Sequence, residues 1–380
     1  GNNAGQIGVS GNTVSYGGTP IGTISGGADG ANLRIDFTSA AATVEAVEAL
    51  IERLGYANTD VSPNASRTLG LRVSDGDGAS SDARMLTITV SPSLDGAPRV
   101  WAEEVVNTYT PSTQEWPAAV ALADGSYVVA WASYGQDAAS TWGIYAQRFA
   151  NNGEALGAEF RVNTLVNGEQ SWPQIAALSD GGFVVSWQDN GGNDGSGWGS
   201  YAQRFDAAGV AQGGQLLLNT TTSGTQYHTN VAAYPGGFAA VWSNGSDIYL
   251  QRFDNAGVKQ GLETLVSTAP GSASAQSGGQ FVPDVAGRAD GDLVIVWADS
   301  GANDGSSNGV FGRIYDAGTD TFGSTFLVNT TTDNQQSAGN NGDHAPNVAV
   351  LADGGFVVVW SAYDQDSAST WGVYGQRFDA

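Results

Sequence analysis

Cysteine is absent from this 380-residue sequence, and lysine and methionine occur once each, at Lys259 and Met85. Without cysteine the chain forms no disulfide bond and offers no thiolate to a metal ion or a substrate. A large all-β protein can be stable without disulfides, so the absence of cysteine does not exclude an oxidising compartment.

Basic residues are also scarce, since 14 Lys and Arg face 38 Asp and Glu, for a formal net charge of −24. Nucleic-acid binding needs clusters of Lys and Arg, so we expect no nucleic-acid partner. No run reaches about 18 apolar residues, so we expect no membrane insertion, and no signal peptide begins at Gly1. Because the sequence starts and stops abruptly, we expect it to be part of a longer chain.

What the sequence does contain is an internal repeat. An apolar strand ending in tryptophan recurs five times, at Trp131, Trp187, Trp242, Trp297 and Trp360. A small-residue strand such as AAVALADG precedes it, an aromatic strand such as YAQRF follows, and a fourth strand such as EFRVNT comes last. Four short strands joined by Asp-Gly or Gly-Gly turns predict an antiparallel meander, and a radial array of meanders predicts a β-propeller. We expect the recurrent tryptophans to lie in the core between blades.

The ends of the repeat region suggest how the array closes. The fifth unit stops at Ala380 without its outer strand, and AEEVVNT at 102–108 matches the strand that is missing. We therefore predict a five-bladed propeller of four-stranded blades over 99–380, closed by strand 102–108, with the Ala- and Gly-rich first strands innermost. A longer array is the alternative.

One face of this propeller is predicted to carry the long loops. Trp142, Trp198 and Trp371 share one loop position, and Trp116, Trp172, His228, Val282 and Ala345 share a position in the links between blades. An aromatic ring on a loop either anchors its own loop or serves as a platform for the C–H face of a sugar, with amides taking the hydroxyls. The candidate ligand-binding residues are Trp142, Trp198, Trp371, Trp116, Trp172, Tyr227, Phe281, His344, Gln114, Gln170, Gln226 and Gln280.

Acidic residues occupy the same loops. Asp137, Asp194, Asp304 and Asp366 are candidate Ca²⁺ ligands, because calcium prefers carboxylate and carbonyl oxygens. They are equally typical of turns that Asp forms by binding nearby backbone N–H groups.

The first hundred residues do not share the repeat. They predict a helix over Thr43–Leu54 and half-buried strands in RTLGLRV and DARMLTITV, and SPSLDGAP at Ser91–Pro98 marks a domain boundary. The stretch VEALIERLGYANTDVSPNASRTLGLRVSDGDG with ITVSPSLDGAP resembles the cadherin-like and Ig-like extender repeats of giant bacterial RTX-type adhesins. The GGFVVVW…YGQRFDA units look like a repeat from the same class of secreted proteins.

This resemblance implies a cadherin-like or Ig-like β-sandwich over 1–98 with one short helix. It also implies secretion to the cell surface of a Gram-negative bacterium, neighbouring adhesin domains in the same chain, and interdomain Ca²⁺. A hairpin turn is the alternative for the DGDG motif. The acids that match the family's calcium positions are Asp75, Asp77 and Asp95, with Asp36 and Asp82 as weaker matches.

Taken together, these features favour a monomeric, non-catalytic extracellular adhesin module that binds glycans or a surface ligand, with calcium stiffening the domain junction. A structural or protein-binding spacer is the first alternative. A five-bladed glycoside hydrolase is the second, and it needs two carboxylates about 5 to 9.5 Å apart. Because no blade shows a unique acid–base pair, we expect no enzyme activity.

Overall fold

The computed structural model describes residues 6–26, 32–51, 53, 66–71, 84–89, 103–137, 141–269, 274–337, 345–365 and 370–380. The chain divides into two compact units, Gly1–Ala102 and Glu103–Ala380. Both are built from antiparallel strands, and the described residues include one helix. This confirms the prediction of a mainly β protein with one short helix. Among the described residues, no helix has the length and apolar character needed to cross a bilayer.

In the first unit, four strands pair in chain order and two more form a separate hairpin. The sheet contains β1 (Ile7–Ser10), β2 (Thr13–Tyr16), β3 (Thr19–Ser25) and β4 (Arg34–Phe37), and the hairpin contains β5 (Ser66–Leu71) and β6 (Arg84–Thr89). Strands were predicted at the positions of β5 and β6, and both are confirmed. The cadherin-like or Ig-like identity of this unit stays a prediction.

Helix α1 (Val44–Ile51) packs on the four-stranded sheet. Thr43 caps its start, because the Thr43 hydroxyl accepts a hydrogen bond from the Ala46 N–H at 3.3 Å. Ala46 and Leu50 are buried against Val14 and Ile21. Val44 is 76% exposed, because the sheet contacts the face of the helix that carries Ala46.

The second unit contains successive antiparallel meanders. The first sheet contains β7 (Gln114–Ala121), β8 (Tyr127–Tyr134), β9 (Trp142–Phe149) and β10 (Phe160–Arg161), and the second contains β11 (Gln170–Ala177), β12 (Phe183–Asp189), β13 (Gly199–Phe205) and β14 (Leu216–Leu217). The third contains β15 (Tyr227–Tyr234), β16 (Gly237–Ser243), β17 (Ile248–Asp254) and β18 (Lys259–Leu265). The fourth contains β19 (Gln280–Gly287), β20 (Leu293–Asp299), β21 (Gly309–Asp316), β22 (Thr321–Phe322) and β23 (Phe326–Leu327), and the fifth contains β24 (Asn347–Val350), β25 (Phe356–Tyr363) and β26 (Trp371–Phe378).

The first strands of consecutive sheets lie next to one another, as predicted for the innermost strands. β7 contacts β11, β11 contacts β15, β15 contacts β19, and β19 contacts β24. Gly287 shows how close the approach is, because a Cβ there would stand 2.0 Å from the carbonyl oxygen of Ala233 on the neighbouring inner strand. Small residues at these positions are therefore a steric requirement of the convergence.

The recurrent tryptophans lie between the sheets, as predicted. Trp187, Trp242 and Trp297 are at most 1% exposed, and Trp131 and Trp360 are 4% and 7% exposed. Trp187 packs against Ala130 and Ala132 of the preceding sheet. Each such side chain contributes several kcal/mol through burial and packing, since Trp→Ala in a core typically costs about 3–5 kcal/mol.

The predicted closure by strand 102–108 stays a prediction. In the described part of the chain no strand pairs with the outer edge of β26, and residues 103–107 are not in a strand. Val373 of β26 is 82% exposed, whereas its equivalents Ile144, Ile248 and Val310 are fully buried under a fourth strand. The segment instead binds the first sheet, because the Thr108 N–H and hydroxyl donate to Glu159 Oε2 at 2.6 and 2.9 Å.

Candidate functional site

A β-bulge interrupts the inner strand of each of the first four sheets at the same place. The register shifts between Glu115 and Ala118 in β7, and at the equivalent residues of β11, β15 and β19. The bulged residue has a left-handed backbone each time, with φ of 53° at Trp116, 57° at Trp172, 54° at His228 and 45° at Val282. Such a backbone costs about 1–3 kcal/mol at a non-glycine residue. The cost is met by the packing of the inner strands, and the bulge redirects the side chain.

The bulge brings six rings into a continuous row over the first three sheets. We call this row the aromatic arc, and it contains, in order, Tyr134, Trp142, Trp116, Trp172, His228 and Tyr227. The Trp116 ring lies 5.0 Å from Trp142 and stacks on Trp172 at 5.2 Å and 19°. Tyr134 meets Trp142 at 5.3 Å, and His228 lies edge-on to Trp172 at 6.2 Å and to Tyr227 at 4.7 Å. Every ring of the arc is half-buried and keeps part of its surface in solvent.

The arc unites four of the predicted ligand-binding residues: Trp116, Trp142, Trp172 and Tyr227. His228 joins it although it was not among the candidates; its alignment with Trp116 and Trp172 was the available signal. The arc ends after the third sheet because Val282 and Ala345 hold the next two equivalent positions.

The remaining aromatic candidates lie elsewhere. Phe281 is 5% exposed and packs with Val282 and Ala298, so its prediction as a ligand contact is wrong: the bulge places it in the core. Trp198 is half-buried, and Trp371 pairs with Tyr363 at 5.3 Å. His344 lies outside the described residues.

The predicted glutamines stabilise the meanders from within. Gln170, Gln226 and Gln280 are at most 2% exposed, and Gln114 is half-buried. Gln170 Nε2 donates to the Asn167 carbonyl at 3.0 Å and to Asp189 Oδ2 at 2.9 Å. A sugar hydroxyl has no access to a buried amide, so the three buried glutamines are structural residues and their prediction as ligand contacts is wrong.

Three of the loop acids each bind an asparagine of the fourth strand. We call Asn163, Asn219 and Asn329 the asparagine hubs. The Nδ2 groups of the hubs donate to Asp137, Asp194 and Asp304 at 3.0, 3.3 and 3.2 Å respectively. A Cβ on Gly143 would stand 2.2 Å from Asp137 Oδ2, so glycine there makes room for this carboxylate.

Calcium binding by the acids stays a prediction. Among the described residues no group of three or more His, Asp or Glu side chains has an arrangement that could hold a metal ion. Asp36 instead binds Arg34 at 2.7 Å, and this guanidinium lowers the pKa of the Asp36 carboxyl. Asp75, Asp77, Asp82, Asp95 and Asp366 lie outside the described residues.

Two buried acids were missed in the sequence, Asp189 and Asp299 at the ends of β12 and β20. Each accepts hydrogen bonds from a buried glutamine, an asparagine and a glycine N–H, and burial raises the pKa of both carboxyls. The sequence signal for these two acids was in the loops. QDNGGNDG and ADSGANDG share the pattern D-x-G-x-N-D-G, which the other three loops lack. These acids organise their loops.

Asp284 lies on the inner strand β19, two residues after the bulged Val282. The equivalent positions of the five sheets form a ring in which it is the one acid. The ring consists of Ala118, Gln174, Asn230, Asp284 and Asn347. Asp284 Oδ1 accepts from Asn230 Nδ2 at 2.6 Å and from the Val285 N–H at 2.9 Å, and Oδ2 accepts from the Val348 N–H at 2.7 Å. The surrounding strands desolvate this half-buried carboxyl and raise its pKa to about 6.

No family model matches the sequence, and no curated protein matches it. Among solved structures, a protein of unknown function from Dyadobacter fermentans is 13% identical with a TM-score of 0.46, over 70% of this chain and 79% of that one. An endo-arabinase from Bacteroides thetaiotaomicron is 13% identical with a TM-score of 0.40, over 70% and 93% of the two chains. A GH43 endo-arabinanase from Bacillus licheniformis is 14% identical with a TM-score of 0.36, over 69% and 92%.

These likenesses correct the main functional prediction. The similar structures whose activity is stated above are glycoside hydrolases and not adhesins, which contradicts the interpretation as a non-catalytic adhesin of the RTX and cell-adhesion class and the expectation of no enzyme activity. At such low identity the likeness concerns the fold and transfers no activity to this chain. The resemblance of the first hundred residues to extender repeats, and secretion, stay predictions.

Proposed function

We propose that residues 103–380 form a carbohydrate-active propeller that binds a glycan chain along the aromatic arc. The single observation that carries the proposal is the arc itself. Its six rings run across three sheets. Of the four in the middle, three stand on the bulged strands β7, β11 and β15, and Trp142 begins strand β9.

The chemistry of the arc suits a sugar better than a peptide or a nucleotide. Indole faces bind the C–H faces of sugar rings, and the net charge of −24 disfavours anionic ligands. Trp116 and Trp172 are held by neighbouring strands rather than by flexible loops, so little side-chain entropy is lost on binding. The left-handed backbone at the bulges is the conformational cost of holding these rings partly exposed to solvent.

Glycoside hydrolysis is a second candidate, and Asp284 favours it. Asn230, which binds Asp284, follows His228 of the arc by two residues in β15. A carboxyl with a pKa of about 6 keeps its proton in mildly acidic solution, where an ordinary aspartate is ionised, and is suited to protonate a leaving glycosidic oxygen there. Hydrolysis would break the bond between the anomeric carbon and the glycosidic oxygen and consume one water. The hydroxyl of the water adds to the anomeric carbon, the leaving oxygen keeps the proton donated by Asp284, and the remaining proton of the water returns to the Asp284 carboxylate.

The first experiment measures binding and turnover separately. Linear arabinan, xylan and cellulose hexasaccharides are titrated calorimetrically into the protein and, in parallel, incubated with it while released reducing ends are measured. We expect one glycan class to bind, with about tenfold weaker affinity in Trp172→Ala, equivalent to about 1.4 kcal/mol. Trp198→Ala is the matched control, because Trp198 is a half-buried loop tryptophan outside the arc.

Binding that is equal in the native protein and Trp172→Ala would remove the arc as the site. Reducing ends that appear with the native protein and vanish with Asp284→Asn, while binding persists, would establish hydrolysis. Binding without any release of reducing ends would leave a carbohydrate-binding unit and reject the second candidate.

We also propose that five blades close into a ring when residues 103–108 pair with β26. Asn107 and Thr108 support this, because they bind Gln114 and Glu159 just as Asn163 and Thr164 bind Gln170 and Gln215 one sheet further on. The segment thus already occupies the place of a preceding fourth strand relative to the first sheet. Amide exchange along β26 tests the pairing, since closure would protect N–H groups of that edge.

A further inference from the structure

A cleft lies at the loops of the fourth and fifth sheets, which contribute no ring to the aromatic arc. Tyr363 and Trp371 form its apolar wall, with ring centroids 5.3 Å apart and planes inclined at 60°. The remaining lining residues are Ser306, Ser307, Asn334 and Gln335.

The same ring pair exists in the first sheet, where it is covered. Tyr134 and Trp142 lie 5.3 Å apart at 64°, and the Trp116 ring rests on Trp142 at 5.0 Å. In the fifth sheet Ala345 holds the position of Trp116. The methyl group of Ala345 is much smaller than an indole, and Trp371 is 38% exposed.

The other wall of the cleft is polar. Asn334 and Gln335 are exposed, and their side chains make no hydrogen bond to another described residue. Asn334 has a φ of 64°, in the left-handed region that asparagine tolerates better than most residues. The amide groups of Asn334 and Gln335 are therefore available to bind a ligand. They line the same cleft as the rings of Tyr363 and Trp371 and two serines.

From this juxtaposition we infer that the cleft is a second carbohydrate subsite. It takes one sugar residue with its C–H face on Trp371 and its hydroxyls on the amides of Asn334 and Gln335. The ligand class rests on the proposed function, but the cleft is built from different residues and sheets. Two sites on one unit would raise the avidity for a long glycan above that of either site.

The test uses the native protein and four variants, Trp371→Ala, Gln335→Ala, Trp172→Ala and Trp198→Ala. Each is titrated with the hexasaccharide that binds in the first experiment and run in affinity electrophoresis with the corresponding long polysaccharide. Trp371→Ala should abolish one of two calorimetric sites and reduce retardation by the polysaccharide about tenfold, as expected when a bivalent contact becomes monovalent. Gln335→Ala should weaken the same site about threefold, or about 0.7 kcal/mol, and its exposed position makes misfolding a poor explanation. Trp198→Ala is the control and should bind as the native protein does.

The outcomes separate the two proposals. If Trp371→Ala and Gln335→Ala bind like the native protein while Trp172→Ala is weakened, the cleft is not a subsite and the arc stands. If Trp371→Ala loses binding and Trp172→Ala does not, the cleft stands and the arc is rejected. If none of these variants differs from the native protein, both proposals are rejected.

Discussion

Replacing the asparagine hub Asn219 by alanine should destabilise the second unit more than the loss of one polar side chain usually does. Asn219 is fully buried, and its Oδ1 accepts the Ser200 N–H at 2.9 Å. Its Nδ2 donates to Gln226 Oε1 at 3.2 Å, to Asp194 Oδ2 at 3.3 Å and to the Thr221 carbonyl at 3.1 Å. One amide thus joins the third strand, the loop and the link to the next sheet.

The magnitude follows from the groups left without partners. The Ser200 N–H and the Gln226 amide oxygen are both buried, and each unsatisfied buried group costs about 1–3 kcal/mol. We therefore expect Asn219→Ala to lower the free energy of unfolding by about 2–6 kcal/mol. The third sheet provides the matched control, because Ser267 stands at the hub position there and its Oγ accepts the Ile248 N–H at 2.9 Å. Asn219→Ser should therefore recover about 1–3 kcal/mol of the loss.

The assay is thermal unfolding followed by circular dichroism and tryptophan fluorescence. For a unit of this size each kcal/mol corresponds to about 2–4 °C in Tm. Asn107→Ala is a second control: Asn107 is half-buried and accepts no strand N–H among the described residues, so its loss should cost about 1 kcal/mol or less. Equal Tm values for native protein, Asn219→Ala and Asn219→Ser would refute the reasoning that these amides hold the meanders together.

Two further predictions concern buried groups. Trp297 Nε1 donates to the buried Gln276 Oε1 at 3.1 Å, whereas the buried Trp187 Nε1 has no hydrogen-bond partner among the described residues. Trp297→Phe should therefore cost about 1–3 kcal/mol more than Trp187→Phe in urea unfolding, and equal losses would contradict this. Burial raises the pKa of Asp284 from 3.8 to about 6, so the folded state binds the extra proton and its stability falls as the pH rises from about 4 to about 6. Asp284→Asn should remove that decline when unfolding is measured across this range, and an unchanged slope would show that the carboxyl titrates normally.

The helix and the glutamines show how far local pattern reaches. Periodicity located α1 correctly, but Val44 is exposed and Ala46 is buried, because the sheet decides which face is covered. The glutamines recur two residues before Trp116 and Trp172 and their equivalents. Recurrence alone does not distinguish a residue that contacts a ligand from one that stabilises the interior of a sheet. Their burial depends on the bulge, which turns neighbouring residues of one strand in different directions.

By itself the sequence determined the repeat, the four-stranded units, the buried row of Trp131, Trp187, Trp242, Trp297 and Trp360, and the equivalence of Trp116, Trp172 and His228. These follow from spacing and from alternation of apolar and polar residues, which are local properties of the chain. The tertiary structure decided that the equivalent residues adopt left-handed bulges and touch across three sheets, and that Trp371 is 38% exposed. It also decided that Thr108 binds Glu159 of the first sheet, because this contact joins residues far apart in the chain and no local pattern encodes it.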